Sequence, residues 1–365
     1  MKKIVILIND TTYAYNLRGA VIKRLIKEGY QVVVIGQLLN HQEELIKMGA
    51  KIIGVETGRH GKNPFSDIRL LQLYTKHLRR EHPEIVLTYN IKPNVYGGLA
   101  CRYLHIPYLP NITGLGTPVE QPGMLQKLTI LLYKCGVHDA ECVLFQNNEN
   151  LEFFKEHRML KKNESTKILP GSGVDLKLHP LFAWEEEKIY FLYAARIMKE
   201  KGIDLFLSAA RKYASDQIEF HVCGPCDDPT YNRILRQEPS IYYHGEQPDL
   251  SQFYKKCSCF LYPSYYPEGM SNVLLEAAAS GRPIIATNRC GCRETLEDGK
   301  TGFIVPINDV NKTLEATKRM IDLSSKERKN MGILGRKKIE KEFDREIVVN
   351  MYMQEIKKIE RKYGL

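Results

Sequence analysis

Tyr190-Phe-Leu-Tyr-Ala-Ala-Arg196-Ile-Met-Lys-Glu-Lys201-Gly202 is an apolar run that ends in a basic turn and opens a helical stretch at Gly202–Ser208. A short strand that is apolar at nearly every position is buried on both faces, as in a parallel sheet covered by helices. Runs of the same kind recur downstream at Glu219–Cys223, Ile241–His244, Cys259–Tyr262, Pro283–Ala286 and Phe303–Val305. Upstream they stand at Lys3–Ile8, Gln31–Gly36, Lys51–Val55, Ile85–Tyr89, Tyr108–Ile112 and Cys142–Gln146. Amphipathic segments such as Arg18–Glu28, Ile68–Arg80 and Leu314–Leu323 lie between them. Two strand–helix series predict an α/β chain of two doubly wound, Rossmann-like domains. The Pro/Gly/Ser-rich stretch Leu169–Val174 separates 1–170 from 175–344, and a charged helix near Asp344–Lys362 follows. Ligands of such domains bind beyond the carboxyl ends of the strands, so a cleft between two facing domains is the expected seat of function.

The 365 residues are 43% hydrophobic and 26% charged, with a mean hydropathy of −0.33, which excludes wholesale disorder. No apolar run approaches the roughly 20 residues of a spanning helix. The first apolar stretch, Ile4–Ile8, is too short for a signal peptide, and the reading predicts a cytoplasmic protein. The net charge of +10 predicts anionic partners. Residues 1–175 carry 23 Lys+Arg and 16 Asp+Glu, leaving 30 and 27 for the rest, so the N-terminal half is the basic one. Basic residues are dispersed without a stacking set of aromatics, which excludes nucleic acid as a partner. Nine cysteines cannot all pair within one chain, and reduced thiols are expected. Cys223-Gly-Pro-Cys226 lacks the helix a redox motif would open, and the Cys257/Cys259 and Cys290/Cys292 pairs lack zinc spacing; no metal site is expected.

Asn9–Arg18 after the first strand contains no GxGxxG, and the chain has no GxxxxGK[ST], which excludes a classical dinucleotide enzyme and a P-loop NTPase. In the second series, Arg196 offers a planar fork and Lys201 a mobile point charge, a pair suited to a diphosphate. Further on, Pro263-Ser-Tyr-Tyr-Pro-Glu268-Gly-Met-Ser-Asn-Val-Leu-Leu-Glu276-Ala-Ala-Ala-Ser-Gly281 places two glutamates about two helical turns apart. Gly269, Met270, Ser271 and Asn272 would present backbone N–H groups at a helix start. Glu276 lies in an otherwise apolar run, where a surface carboxylate is a poor reading and a ribose-binding one a better one.

These two segments, with Gly281-Arg-Pro-Ile-Ile-Ala-Thr287, Glu294 and Gly299–Phe303, resemble the family 4 retaining glycosyltransferases of GT-B fold over essentially the whole chain. Thr88–Gly97 and Asn111–Gly116 resemble the subgroup that extends polyprenyl-diphosphate-linked saccharides in capsule, exopolysaccharide and glycan-precursor assembly, among them N-acetylgalactosaminyl- and galactosyltransferases. The resemblance implies a UDP-sugar co-substrate, no cofactor and no metal. By it, Arg196 and Lys201 hold the donor diphosphate, Glu268 contacts the transferred sugar, Glu276 the ribose, the 269–272 backbone the sugar and phosphates, and Gly245 lies near the uracil. It allows the last helix, 345–365, to return to the N-terminal domain. Acceptor binding falls to that domain, with Thr11, Thr12 and Asn16 on a loop after the first strand, and Asn90, Lys92 and Thr113 beyond later ones. The chain departs from the family pattern at Asn111–Gly114, where relatives carry a histidine, and at Gly291-Cys292, where they carry Gly-Gly.

Ile68–Arg80 and Leu125–Lys134 are amphipathic stretches with basic edges. The reading favours ordinary packing for both apolar faces and leaves the basic edges to meet an anionic membrane, peripheral on its inner face. Two rival functions remain at this level: a UDP-sugar 2-epimerase of similar architecture, which needs no acceptor, and a non-catalytic partner subunit, which the intact Arg196, Lys201, Glu268 and Glu276 set argues against.

Overall fold

A computed structural model describes residues 2–56, 64–116, 119 and 122–365. The chain divides into two compact units: Met1–Ser172 with Glu346–Leu365, and Gly173–Arg345.

The first unit is built on strands Lys3–Asp10 (β1), Gln31–Gln37 (β2), Lys51–Gly54 (β3), Ile85–Tyr89 (β4), Tyr108–Ile112 (β5), Val143–Phe145 (β6) and Thr166–Ile168 (β7). All neighbours pair in parallel, in the order β3-β2-β1-β4-β5-β6-β7. Its first helices are Thr11–Lys27 (α1), Gln42–Lys47 (α2) and Pro64–Glu81 (α3). A π-helical turn, Pro93–Gly97, runs into Gly98–Leu104 (α4), and Met124–Val137 (α5) and Asn148–Glu156 (α6) follow. Alternate residues of each strand face opposite sides. Ile4, Ile6 and Ile8 therefore meet one core, while Val5 and Leu7 meet another that α3 and α4 cover. α5 caps the same side further along, against Ile112, Val143 and Phe145.

The second unit has strands Ile189–Ala194 (β8), Ile218–Cys223 (β9), Tyr242–Tyr243 (β10), Cys259–Tyr262 (β11), Ile284–Thr287 (β12) and Gly302–Val305 (β13). These too are parallel, in the order β10-β9-β8-β11-β12-β13. Its helices are Ile203–Tyr213 (α7), Pro229–Gln237 (α8), Ser251–Lys256 (α9), Asn272–Ala279 (α10), Val310–Asp322 (α11) and Ser325–Glu342 (α12). The last helix, Arg345–Tyr363 (α13), returns to the first unit, where Val348, Val349, Tyr352, Met353, Ile356 and Ile359 pack with Ile4, Leu87 and Leu109. That spacing, two apolar residues per turn on one face, makes α13 part of the first core.

In both sheets the strand order reverses between the unit's first and fourth strands, β1 and β4 in one and β8 and β11 in the other. The exits of β1 and β4 in one unit, and of β8 and β11 in the other, are the positions where an open α/β sheet leaves a crevice for ligand.

Three differences from the sequence reading have identifiable causes. β7 is an edge strand of three half-buried residues with no apolar signature. Helix α1 begins at Thr11 because the buried Asp10 carboxylate caps it, accepting from the Tyr13 N–H at 2.9 Å. Thr11, Thr12 and Asn16 therefore belong to a helix, where a loop was expected. Finally, α3 buries Leu70, Tyr74 and Leu78 as expected, but α5 leaves Met124, Leu125, Leu128 and Leu131 outside. Ordinary packing of the whole apolar surface of α5 is not what the chain does.

Candidate active site

In the second unit, β8 ends at Ala194 and the chain passes through the exposed Arg196 to a 3-10 turn at Lys199–Lys201. Gly202 then starts α7 at φ +81°. A Cβ on Gly202 would lie 2.2 Å from the Pro263 carbonyl oxygen, so glycine alone lets this turn press against the exit of β11. One backbone contact locks the turns together, the Tyr265 N–H donating to Glu200 O at 2.9 Å, and the Glu268 N–H closes its own turn by donating to Tyr266 O at 2.9 Å.

The consequence is that Lys201 and Glu268, 67 residues apart, meet. Lys201 Nζ donates to Glu268 Oε1 at 2.5 Å, and both side chains are largely buried at 13% and 14% exposure. The buried Tyr262, last residue of β11, donates its hydroxyl to the same oxygen at 2.8 Å. The ammonium also lies 4.5 Å from the centre of the Tyr266 ring, a cation–π contact that helps to fix it. Arg196 makes no ion pair or hydrogen bond with the described residues and stays exposed at the rim. Gly224 abuts this rim: a Cβ there would lie 1.8 Å from Ala195 O, and its N–H donates to Gly245 O at 2.7 Å. Gly245, at φ +68° and with open space over its Cα, is thereby set beside the Arg196 turn.

Beyond Glu268, Gly269 and the half-buried Asn272 bracket the buried Met270 and Ser271 at the start of α10. The Ser271 N–H donates to Gly291 O at 2.8 Å, and its buried hydroxyl has no partner among the described residues. Gly291 has φ +85°, and a Cβ on it would sit 2.9 Å from Gly269 O. Cys292, the residue that departs from Gly-Gly, has φ −108°, which any residue adopts. Only the first position of that pair needs glycine. Glu294 ties the turn down, accepting from the Gly291 N–H at 2.7 Å.

Glu276 lies about one turn into α10, with Oε2 accepting from the buried Tyr254 hydroxyl at 3.0 Å. Removal from water pushes its carboxyl up to about 7, against the pull of the Tyr254 hydrogen bond and the Arg345 charge. His179 stands edge-on to Tyr254, 6.2 Å between ring centres, and burial depresses its imidazole to about 4. Tyr254 and Tyr262 escape sequence reasoning: nothing in their spacing from the glutamates marks them, although a tyrosine closing an apolar strand is a signal for Tyr262.

In the first unit the candidates sit around the exits of β1, β4 and β5. Thr11 is buried and its hydroxyl is engaged within the fold, donating to Asn40 O at 2.8 Å and accepting from Leu39 N–H at 2.9 Å. Thr12 and Asn16, one helical turn apart, are half-buried and exposed. Asn90, at φ +70°, accepts from the Asn9 N–H at 3.3 Å and so ties the β4 exit to β1. Lys92 pairs with Asp67 at 3.0 Å, and Asp67 also accepts from Tyr96. Thr113 is half-buried just past β5. Asn111, in the segment where a histidine was expected, is buried and donates to the Tyr352 hydroxyl of α13.

Cys223 and Cys226 are unpaired, and burial pushes the Cys223 thiol up to about 12, away from thiolate chemistry.

Residues 177–338 match the family described as glycosyl transferases group 1, and residues 3–147 match glycosyl transferase 4-like. The chain is a GT4-type glycosyltransferase. Over 309 residues it is 27% identical to the N,N'-diacetylbacillosaminyl-diphospho-undecaprenol alpha-1,3-N-acetylgalactosaminyltransferase of Campylobacter jejuni, across 79% of this chain and 81% of that one. It is 25% identical to the UDP-Gal:alpha-D-GlcNAc-diphosphoundecaprenol alpha-1,3-galactosyltransferase of Escherichia coli, across 69% and 70%. Among solved structures, sucrose-phosphate synthase from Thermosynechococcus elongatus superposes with a TM-score of 0.81 at 17% identity, covering 98% and 99% of the two chains. Anabaena HepE in complex with UDP and glucose gives 0.77 at 15%, covering 98% and 100%. This glycosyltransferase therefore has the GT-B fold, with the Lys201–Glu268 pair inside its group 1 region.

Proposed function

We propose that this glycosyltransferase moves a hexose or N-acetylhexosamine from a UDP-sugar to a polyprenyl-diphosphate-linked saccharide, with retention, to form an α-glycosidic bond. The observation that carries the donor assignment is the convergence of Lys201 and Tyr262 on Glu268 at the crevice of the second sheet. The acceptor class rests on the likeness to the two undecaprenol-linked transferases.

In this reading the donor diphosphate lies between Lys201 and Arg196, which take the place of a divalent cation. The start of α10, with the Ser271 hydroxyl, supports the phosphates, and Glu276 accepts the ribose hydroxyls. Breaking the bond from anomeric carbon to phosphate leaves the electron pair on UDP. Positioned cations lower the barrier by stabilising that charge as it develops. The acceptor hydroxyl attacks from the face the phosphate leaves, and its proton passes to the departing phosphate oxygen. Glu268 holds sugar hydroxyls and takes no proton. Thr12, Asn16, Asn90, Lys92 and Thr113 belong to the acceptor side.

The test is a screen of radiolabelled UDP-sugars against undecaprenyl-diphosphate-linked sugars. Labelled lipid product that disappears in Lys201→Ala supports the proposal. Epimerised UDP-sugar without lipid product would identify an isomerase instead, and neither product would leave a partner subunit.

A further inference from the structure

We propose that the outward face of α5 is a docking surface for an anionic lipid bilayer, with its leucines entering the interface and its lysines meeting the headgroups. The sequence of α5, Met124-Leu-Gln-Lys-Leu-Thr-Ile-Leu-Leu-Tyr-Lys-Cys-Gly-Val137, is apolar at almost every angle around the axis. A helix of that kind needs cover on both sides. One side has it: Thr129, Tyr133, Gly136 and Val137 are buried, with Tyr133 and Val137 packing in one core with Phe145 and Phe154. The other side does not. Met124 is 89% exposed, Leu128 52% and Leu131 57%, with Leu125 beside them at 47%.

The chemistry of the flanks selects the occupant. Lys127 and Lys134 are exposed and two turns apart, and at 100° per residue both fall along one edge of the Met124–Leu128–Leu131 stripe. The helix contains no Asp or Glu. The first acidic residue after it, Asp139, is held by Lys161 and by Arg102 at 3.3 Å. α3 and α4 cover the same side of the sheet, and they add exposed Arg69, Lys76, Arg79 and Arg80, and Tyr103 at 67% exposure with Arg79 5.9 Å from its ring. An apolar stripe edged by cations, with an aromatic nearby, fits an anionic interface, whereas a second protein surface would call for carboxylates or shape that nothing here supplies.

The stripe is also rigidly presented. Gly98 and Gly136 let α4 and α5 touch backbone to backbone, since a Cβ on Gly98 would lie 1.9 Å from Gly136 O. Tyr108 Oη donates to Gly136 O at 2.9 Å and Arg102 to Cys135 O at 3.1 Å, which satisfies carbonyls at the end of α5. Rotating the helix to hide its leucines would break all of these contacts.

The experiment uses the full chain and vesicles of phosphatidylcholine with or without 30% phosphatidylglycerol, as an order-of-magnitude anionic fraction of about one third, without donor or acceptor. Its outcome is therefore independent of the sugar-transfer proposal. The expected result is sedimentation with anionic vesicles that falls at least about tenfold in the Leu128→Glu/Leu131→Glu variant and in Lys127→Glu/Lys134→Glu, and weakens with added salt. A Leu128→Trp probe should shift to the blue and be quenched by brominated acyl chains. Thermal melts like the parent's show that the charged variants fold, as substitution of exposed side chains predicts. Equal binding to purely zwitterionic vesicles, unchanged binding by either variant, or a chain dimer that the leucine variant dissolves without any vesicle binding would each overturn the proposal.

Discussion

Replacing Glu268 with glutamine should strengthen the binding of UDP, although it removes a residue proposed for the donor site. Lys201 is committed to Glu268 Oε1 at 2.5 Å, in a setting where both side chains are only 13–14% exposed. A diphosphate must draw the ammonium off that carboxylate before it can use it. A charge-assisted hydrogen bond of this kind contributes roughly 1.5–3 kcal/mol. Glutamine keeps a neutral acceptor in place, so the variant recovers about half of that, about 0.8–1.5 kcal/mol, or roughly fourfold to tenfold in Kd. Calorimetric titration of UDP, which lacks the transferred sugar that Glu268 is proposed to hold, reads the effect directly. Simple relief of repulsion between Glu268 and the phosphates would also tighten UDP, so the same substitution is made in a Lys201→Ala background. Competition requires the gain to vanish there, and repulsion requires it to persist. Weaker or unchanged UDP binding by Glu268→Gln would refute the reasoning outright. Turnover of the full UDP-sugar should fall even as UDP binds better, because the carboxylate freed by the diphosphate is the group proposed to hold the sugar.

Glu276, pushed up to about 7 by burial, gives two pH-dependent outcomes. The donor KM should rise by up to about tenfold per pH unit below 7 as the carboxylate proposed to bind the ribose protonates, and Tyr254→Phe should move that rise to higher pH by removing the hydrogen bond that opposes the shift. A carboxyl with a raised folded pKa favours the fold at low pH, and this contribution is lost as the pH climbs from about 4.5 through 7. Glu276→Gln should therefore raise the melting temperature by a few degrees at pH 8, for about 1–3 kcal/mol after allowance for its partial access to water, and leave it nearly unchanged at pH 5, as calorimetry would read. Gly202→Ala, with φ +81° and a Cβ 2.2 Å from Pro263 O, should separate the β8 and β11 exits and abolish transfer while lowering the melting temperature. Ile356→Ala on α13, fully buried in the first core, should cost about 2–5 kcal/mol by denaturant titration, although it lies far along the sequence from the strands it covers.

Much of the architecture is legible because parallel strands buried on both faces must be apolar throughout, and apolar runs mark twelve of the thirteen strands, the partly exposed edges β3 and β10 among them. β7 escapes because its Thr166-Lys-Ile168 is a half-buried edge that needs no such pattern. The meeting of Lys201 with Glu268 is legible for a related reason. A strand exit is a fixed place in the fold, so a basic turn after β8 and an acidic one after β11 are bound to be neighbours once the strand order is known. What cannot be read is whom each group holds. The aromatic hydroxyls of Tyr262 and Tyr254, which orient Glu268 and Glu276, come from a strand end and a six-residue helix with no motif spacing to the glutamates. The start of α1 is misjudged because Asp10, in an apolar strand, reads as a loop residue until its capping bond to Tyr13 is seen.

α5 shows the limit most clearly. Periodicity reports which angles of a helix are apolar, and for 124–137 the answer is nearly all of them. The default inference is burial, because an apolar face in water is costly. Its inner half obeys, and the backbone contact between Gly98 and Gly136 then fixes the rotation of the helix, so the outer half has no protein left to meet. The same glycine that permits close packing on one side thus obliges exposure on the other. The +7 bias of the N-terminal half, too diffuse by itself to choose among anionic partners, acquires a location: Lys127 and Lys134 stand at the edge of the one helix among the described residues of that unit whose outward leucines would leave water for lipid.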